Sequence, residues 1–124
     1  MTAALRLKWA AAHQPAPYET DSGDQYVVQP LADGLLLGVI DGLGHGSSAA
    51  TAALLAVETL RATTAADLPA LIRRCHAALS GSRGAVMTLA HVDTHRGTLA
   101  WAGIGNVAAV LVHPGHTAHT PQRE

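Results

Sequence analysis

The chain has 124 residues, 48% of them hydrophobic and only 14% charged, with a formal net charge of -1. That length holds one domain with a modest core. The balanced charge has no basic tract, and 3% aromatic content with no Phe leaves no stacking platform for bases, so nucleic acid and anionic membrane surfaces are poor partners.

No apolar run approaches the ~18 residues that cross a bilayer. The start, Met1-Thr2-Ala3-Ala4-Leu5-Arg6-Leu7-Lys8, interrupts its apolar residues with charge, unlike a signal peptide. The single cysteine, Cys75, cannot form an internal disulfide and reads as a small buried hydrophobe on a helix. A cytoplasmic protein is expected.

Leu5, Leu7 and Trp9 alternate with Arg6 and Lys8, which predicts a first strand running towards Ala11. His13 to Ser22 reads as loop, and Ser22-Gly23-Asp24 as a turn. Gln25 to Leu31 is a second strand, and Leu35 to Asp41 a third. Asp33-Gly34 between them is a favoured hairpin turn.

If Asp33 and Gly34 are the loop residues, Tyr26 faces Asp41 and Asp24 lies diagonal to Asp41. If the loop is Ala32-Asp33, Asp24 stands directly opposite Asp41. Either even-length loop puts both carboxylates on one face at one end of the hairpin, and a one-residue slip would separate them.

Ser47 to Arg61 is predicted helical, capped by Ser47 or Ser48, with Ala50, Ala53, Leu54, Val57, Glu58 and Leu60 at helical spacing. Asp67 caps a second helix with Pro69 in its first turn; its inner stripe is Leu68, Leu71, Ile72, Cys75, His76 and Leu79. Ser80 to Gly84 ends it. Three strands follow: Ala85 to Asp93, Thr98 to Gly103 with Trp101 as a core residue, and Val107 to Val112 after a Gly105-Asn106 turn. His91, Asp93 and His95 form a tempting triplet, but it lies where a strand enters its turn and reads as a solvated hairpin end. The segment 113–124, with His113, His116 and His119, lacks periodic structure and is expected to be a flexible tail after a domain of residues 1–112. Segregated strands and helices make the class α+β with a mainly antiparallel sheet.

Val39-Ile40-Asp41-Gly42-Leu43-Gly44-His45-Gly46-Ser47-Ser48 organises the chain. An apolar strand delivers Asp41 to a glycine-built corner, and a helix starts just beyond. Glycine suits a corner with positive φ or close approach to a bound group. A helix N-terminus suits an anion. A carboxylate beside an anion site calls for a cation between them. Asp24 and Asp41 are therefore candidate ligands for a hard divalent ion, against the alternative of two solvated turn aspartates. His45 has two open readings, donation to a phosphate or bonding of the loop backbone; Asn106 supports a turn or stands near the site.

Ser22-Gly23-Asp24, Asp41-Gly42-Leu43-Gly44-His45-Gly46 with its alanine-rich helix, Met87-Thr88-Leu89-Ala90 and Gly103-Ile104-Gly105-Asn106 together resemble PPM-type protein serine/threonine phosphatases, in the SpoIIE-like and RsbX-like branch. The resemblance runs from about Trp9 to about Val112. It implies an αββα sandwich, of which this chain would form part, with two helices adjacent in sequence. It implies that Asp24, Asp41 and the Gly42 carbonyl hold two Mn²⁺ or Mg²⁺ ions, with Gly44, His45 and Gly46 supporting the loop or a phosphate. The activity implied is hydrolysis of phosphoserine or phosphothreonine by a metal-activated water. The partner implied is a phosphorylated STAS-type regulatory protein of stress signalling. No carboxylate lies between Asp93 and Glu124, so the later metal ligands of the family are not expected in this chain, which reads as shortened at its C-terminus. A catalytically impaired, phosphatase-like binding module is the alternative, and an unfinished sheet edge offers a route to a homo-oligomer.

Overall fold

The computed structural model describes residues 5–14, 17 and 20–119. Among the described residues, six strands and two helices follow in the order β1 (Asp24–Leu31), β2 (Gly34–Gly42), α1 (Gly46–Arg61), α2 (Leu68–Ala78), β3 (Ala85–Asp93), β4 (Thr98–Ile104), β5 (Val110–His113) and β6 (His116–His119). The first four strands form one antiparallel sheet in the order β1-β2-β3-β4. Both helices contribute to a single core with one face of that sheet, so the α+β expectation holds.

That core is built from Val27, Leu36, Ile40, Met87 and Leu89 of the sheet against Leu60, Leu71 and Cys75 of the helices. The α1 side chains turned inwards are mostly alanine: Ala49, Ala52, Ala53 and Ala56. Their small size lets the helix approach the sheet closely, where Gly38 and Gly42 leave room. The buried stripe is therefore rotated from the one expected: Leu54 and Glu58 are exposed. In α2 the expected Asp67 cap forms, accepting from the Ala70 amide at 3.2 Å, while His76 is exposed. Burial pushes the Cys75 thiol up, against a smaller opposing pull from the charge of Arg74.

The hairpin takes the second of the two registers. Leu31 pairs with Gly34, the loop is Ala32-Asp33, and Asp24 pairs directly with Asp41. Asp-Gly is the better turn by local preference, but Gly34 is needed inside the strand. A Cβ there would meet the Val92 carbonyl oxygen of β3. Asp33 is also claimed from outside: its carbonyl accepts from the Thr94 amide at 2.9 Å, and its carboxylate lies 3.0 Å from His91 Nε2.

Four other expectations change. Residues 5–14 form no strand; Leu5 donates one hydrogen bond to the Thr94 carbonyl at 2.8 Å, and Trp9 lies against Tyr26 with ring centroids 5.9 Å apart. Trp9 thus reaches a sheet residue without its segment forming a ladder. The last predicted strand begins at Val110 rather than Val107, whose carbonyl is instead taken by Thr88 Oγ1 at 2.6 Å. Residues 116–119, expected to lack structure, pair as β6 with β5 across a Pro114-Gly115 turn. Trp101 is only half-buried, on the sheet face away from the helices.

The His91, Asp93 and His95 triplet lies at a hairpin end that is solvent-exposed at His95 and Arg96, as expected, but Asp93 itself is buried. Among the described residues no three His, Cys, Asp or Glu side chains group closely enough to hold an ion. Asp93 is buried and accepts from the Arg96 amide at 2.9 Å and the His95 amide at 3.0 Å, closing the β3–β4 turn. The Arg96 amide does most to hold its carboxyl below the usual range; burial opposes this, and the His95 amide and the charges of Arg96 and His91 assist. A carboxyl with a lowered folded-state value stabilises the fold above its unfolded value of about 3.9 and loses that contribution as pH falls through the folded value. Asp93→Asn is therefore expected to lower stability at neutral pH and to flatten the acid limb of the stability profile below about pH 4. Thermal melts of both chains across that range check this; parallel profiles would refute it.

Candidate metal centre

Gly23 and Gly42 make the floor of the site. The Gly42 amide donates to the Gly23 carbonyl at 2.8 Å. A Cβ on Gly23 would stand 2.8 Å from the Ala49 Cβ and 3.0 Å from the Gly42 carbonyl oxygen. A Cβ on Gly42 would strike the Ala49 carbonyl. Only two bare backbones allow the first turn of α1 to rest on the end of the β1–β2 hairpin.

The chain then turns through Gly44 at φ 90° and Gly46 at φ 63°, where a side chain would be strained. The Leu43 amide donates to the Gly84 carbonyl at 2.9 Å, which ties this corner to the α2–β3 loop. The helix begins at Gly46, so His45, not Ser47 or Ser48, occupies the cap position, and its side chain makes no cap bond. The first turn also carries no acidic residue, which leaves its amides and the helix dipole favourable to an anion.

Asp24 and Asp41 meet across the hairpin at this corner. The Asp24 amide is held by Ser22 Oγ at 3.1 Å, which fixes the approach of β1. Burial raises the Asp41 carboxyl above the ordinary range, and the charge of Asp24 and a hydrogen bond with it raise it further. Two carboxylates that interfere in this way form an oxygen-only donor set short of positive charge. With the Gly42 carbonyl nearby, the chemistry fits Mg²⁺ or Mn²⁺ better than a metal preferring nitrogen or sulfur. The fit is partial, because no third carboxylate or histidine joins the pair among the described residues.

Among the described residues, the pair borders at least two cavities. One, of about 140 Å³, is shared with Gly42, Gly44, His45 and Gly46 and with Asp21. The other, of about 530 Å³, opens on the sheet face away from the helices and includes Tyr26, Val39, His13 and Asn106. Asn106 thus stands beside the aspartates as well as in its turn. Asp21 and His13 were missed by sequence reasoning. Asp21 had a signal in its closeness to Asp24; His13 had none, since only the path of the N-terminal segment brings it there.

Residues 32–124 match the family model described as Stage II sporulation protein E (SpoIIE). The phosphoserine phosphatase RsbX of Bacillus subtilis (strain 168) is 25% identical over 99 residues, covering 80% of this chain and 50% of RsbX. The chain thus spans about half the length of the curated relative it matches. A solved structure from work on the bacterial stressosome, "a modular system that has been adapted to control secondary messenger signaling", superposes with a TM-score of 0.83 at 29% identity, covering 88% of this chain and 57% of its own. A crystal structure of RsbX in complex with magnesium also gives a TM-score of 0.83, at 21% identity, with 90% and 56% covered, and supports the fold.

Proposed function

The chain belongs to the Stage II sporulation protein E (SpoIIE) family, and on that premise we propose that it is a metal-dependent protein serine/threonine phosphatase. The observation that carries this reading is the direct pairing of Asp24 with Asp41 at a glycine-built corner on a helix N-terminus. Asp24, Asp41 and the Gly42 carbonyl would hold the ion. A divalent ion there would supply Lewis acidity, easing deprotonation of a nucleophilic water and offsetting charge on the phosphoryl oxygens. The chain's own residues do the rest. Ser22 and the Gly23–Gly42 bond hold the carboxylates in register, and the amides that open α1 face an incoming anion. His45 and the glycines around it shape the mouth.

The substrate in this reading is a phosphoserine or phosphothreonine on a STAS-type regulatory protein of stress signalling. The support is the relatives: RsbX is a phosphoserine phosphatase, and a structural neighbour comes from the stressosome. The magnesium bound to RsbX supports the choice of ion, with Mn²⁺ as the second candidate.

The test is phosphate release from a phosphorylated STAS-domain protein and from a phosphoserine peptide, with Mg²⁺, Mn²⁺ or a chelator. Release that requires an ion, and is faster on the folded protein, is the expected result. No release from either substrate with either ion would sink the reading.

A further inference from the structure

We propose that Arg83 is the residue that receives the phosphate of the substrate at the rim of the glycine corner. The proposal deepens the phosphatase reading and rests on it. Its starting point is a contact between residues distant in sequence. A Cβ placed on Gly44 would lie 3.5 Å from the Arg83 Cδ and 3.9 Å from its Nε. The arginine stem therefore lies across the bare backbone of Gly44, a residue that lines the same small cavity as Asp24 and Asp41. The guanidinium starts at the corner itself.

The loop that carries Arg83 is built to hold it there. Ser82 Oγ donates to the Leu79 carbonyl at 2.6 Å and accepts from the Gly84 amide at 3.0 Å, bracketing Arg83 on both sides. The Gly84 carbonyl then takes the Leu43 amide, which pins the loop to the corner. Gly84, at φ 85°, lies close enough that a Cβ there would meet the Leu43 side chain at 3.6 Å. Three hydrogen bonds and a positive-φ glycine thus fix the backbone on either side of one exposed side chain.

Charge makes the second argument. Among the described residues, no lysine or arginine lines either cavity bordering the carboxylate pair, and the smaller one includes three aspartates. Among the described residues, Arg83 makes no ion pair that would occupy it structurally. A phosphate ester entering this acidic corner needs cationic donors beyond any ion held by the pair. Arg83 offers a planar fork of N–H groups that matches two phosphoryl oxygens at once, a geometry lysine lacks. Its role is to bind and orient the phosphate, not to transfer protons.

The test compares wild type with Arg83→Ala and Arg83→Lys. Binding of inorganic phosphate, the product, is measured by calorimetry at saturating Mn²⁺, beside turnover of the phosphoserine peptide. Arg83→Ala is expected to weaken phosphate binding about tenfold or more and to raise KM for the peptide, with Arg83→Lys intermediate. The thermal shift caused by Mn²⁺ alone should match wild type, because Arg83 is no ligand and is exposed. Equal phosphate binding by wild type and Arg83→Ala, or no phosphate binding by wild type, overturns the proposal. A chain that binds phosphate through Arg83 but turns nothing over would instead overturn the phosphatase reading, and with it the substrate role of Arg83, leaving only a phosphate-binding residue.

Discussion

Gly42→Ala is expected to unfold the chain at a temperature roughly 15 °C below wild type. The new methyl has nowhere to go. It would strike the Ala49 carbonyl oxygen, with the Ala49 carbonyl carbon at 2.9 Å and Cα at 3.2 Å. These are backbone atoms of the first turn of α1, so no rotamer change relieves the collision. Gly42 cannot retreat either, because it pairs with Ala85 and donates to the Gly23 carbonyl. Overpacking against a fixed backbone costs about 3 kcal/mol, a large share of the stability of a small domain. Gly81→Ala is the control: a Cβ there meets nothing within 4 Å, and only its φ of 84° is unfavourable. Melting by circular dichroism separates the two. A Gly42→Ala midpoint within 2 °C of wild type would mean that α1 does not sit on the hairpin end as described.

Asp41→Asn should reverse its effect when a divalent ion is added. The Asp41 carboxyl is raised by burial first and then by Asp24. A raised folded-state value means that the protonated form is favoured in the fold. Its contribution is present at low pH and is lost as pH rises from the ordinary value of about 3.9 towards the folded value. At neutral pH the ionised pair is therefore a liability in the metal-free chain. Asparagine removes the like charge, worth about 0.5 kcal/mol between opposed strand residues. The metal-free variant should then melt roughly 2–4 °C above wild type.

With Mg²⁺ or Mn²⁺ at a hundred times its dissociation constant, wild type gains about 2.7 kcal/mol and the variant gains little. The order of the two melting points then inverts, and metal-dependent turnover falls about a hundredfold or more. Equal metal-induced shifts in both chains would show that the ion, if bound, is held elsewhere.

The parts of this fold written in short-range patterns were readable from the residues alone. Asp67 before Leu68-Pro69 announced its helix, and the alternation in Ala85 to Asp93 announced its strand. Asp24 and Asp41 were placed on one face by parity alone. What failed was decided by contacts far along the chain. Asp33-Gly34 is the better isolated turn, yet His91 and Val92 on β3 and Thr94 just after it choose Ala32-Asp33. Leu5, Leu7 and Trp9 have a strand's rhythm, but no strand pairs with them among the described residues. In α1 the expected Ala53, Val57 and Leu60 are buried, but Leu54 is not: it outweighs alanine in any hydrophobicity count, whereas the residue that meets Gly23 and Gly42 is Ala49. Arg83 gave no signal, since its value comes from meeting Gly44 across thirty-nine positions of sequence.

The Ala32-Asp33 turn lies at the far end of the ladder from the aspartates, eight pairs away from their own pair counted inclusively. It nevertheless bears on them, since a slip of the β1–β2 register by one residue turns one strand's whole set of side chains to the other face. A lengthened bend that keeps the register leaves Asp24 opposite Asp41. A change in the bend that drives a one-residue slip would spare the core composition while turning the paired acids to opposite sides. Drift in a remote, solvent-facing bend is thus a route by which such a chain could lose its ion without any ligand being substituted.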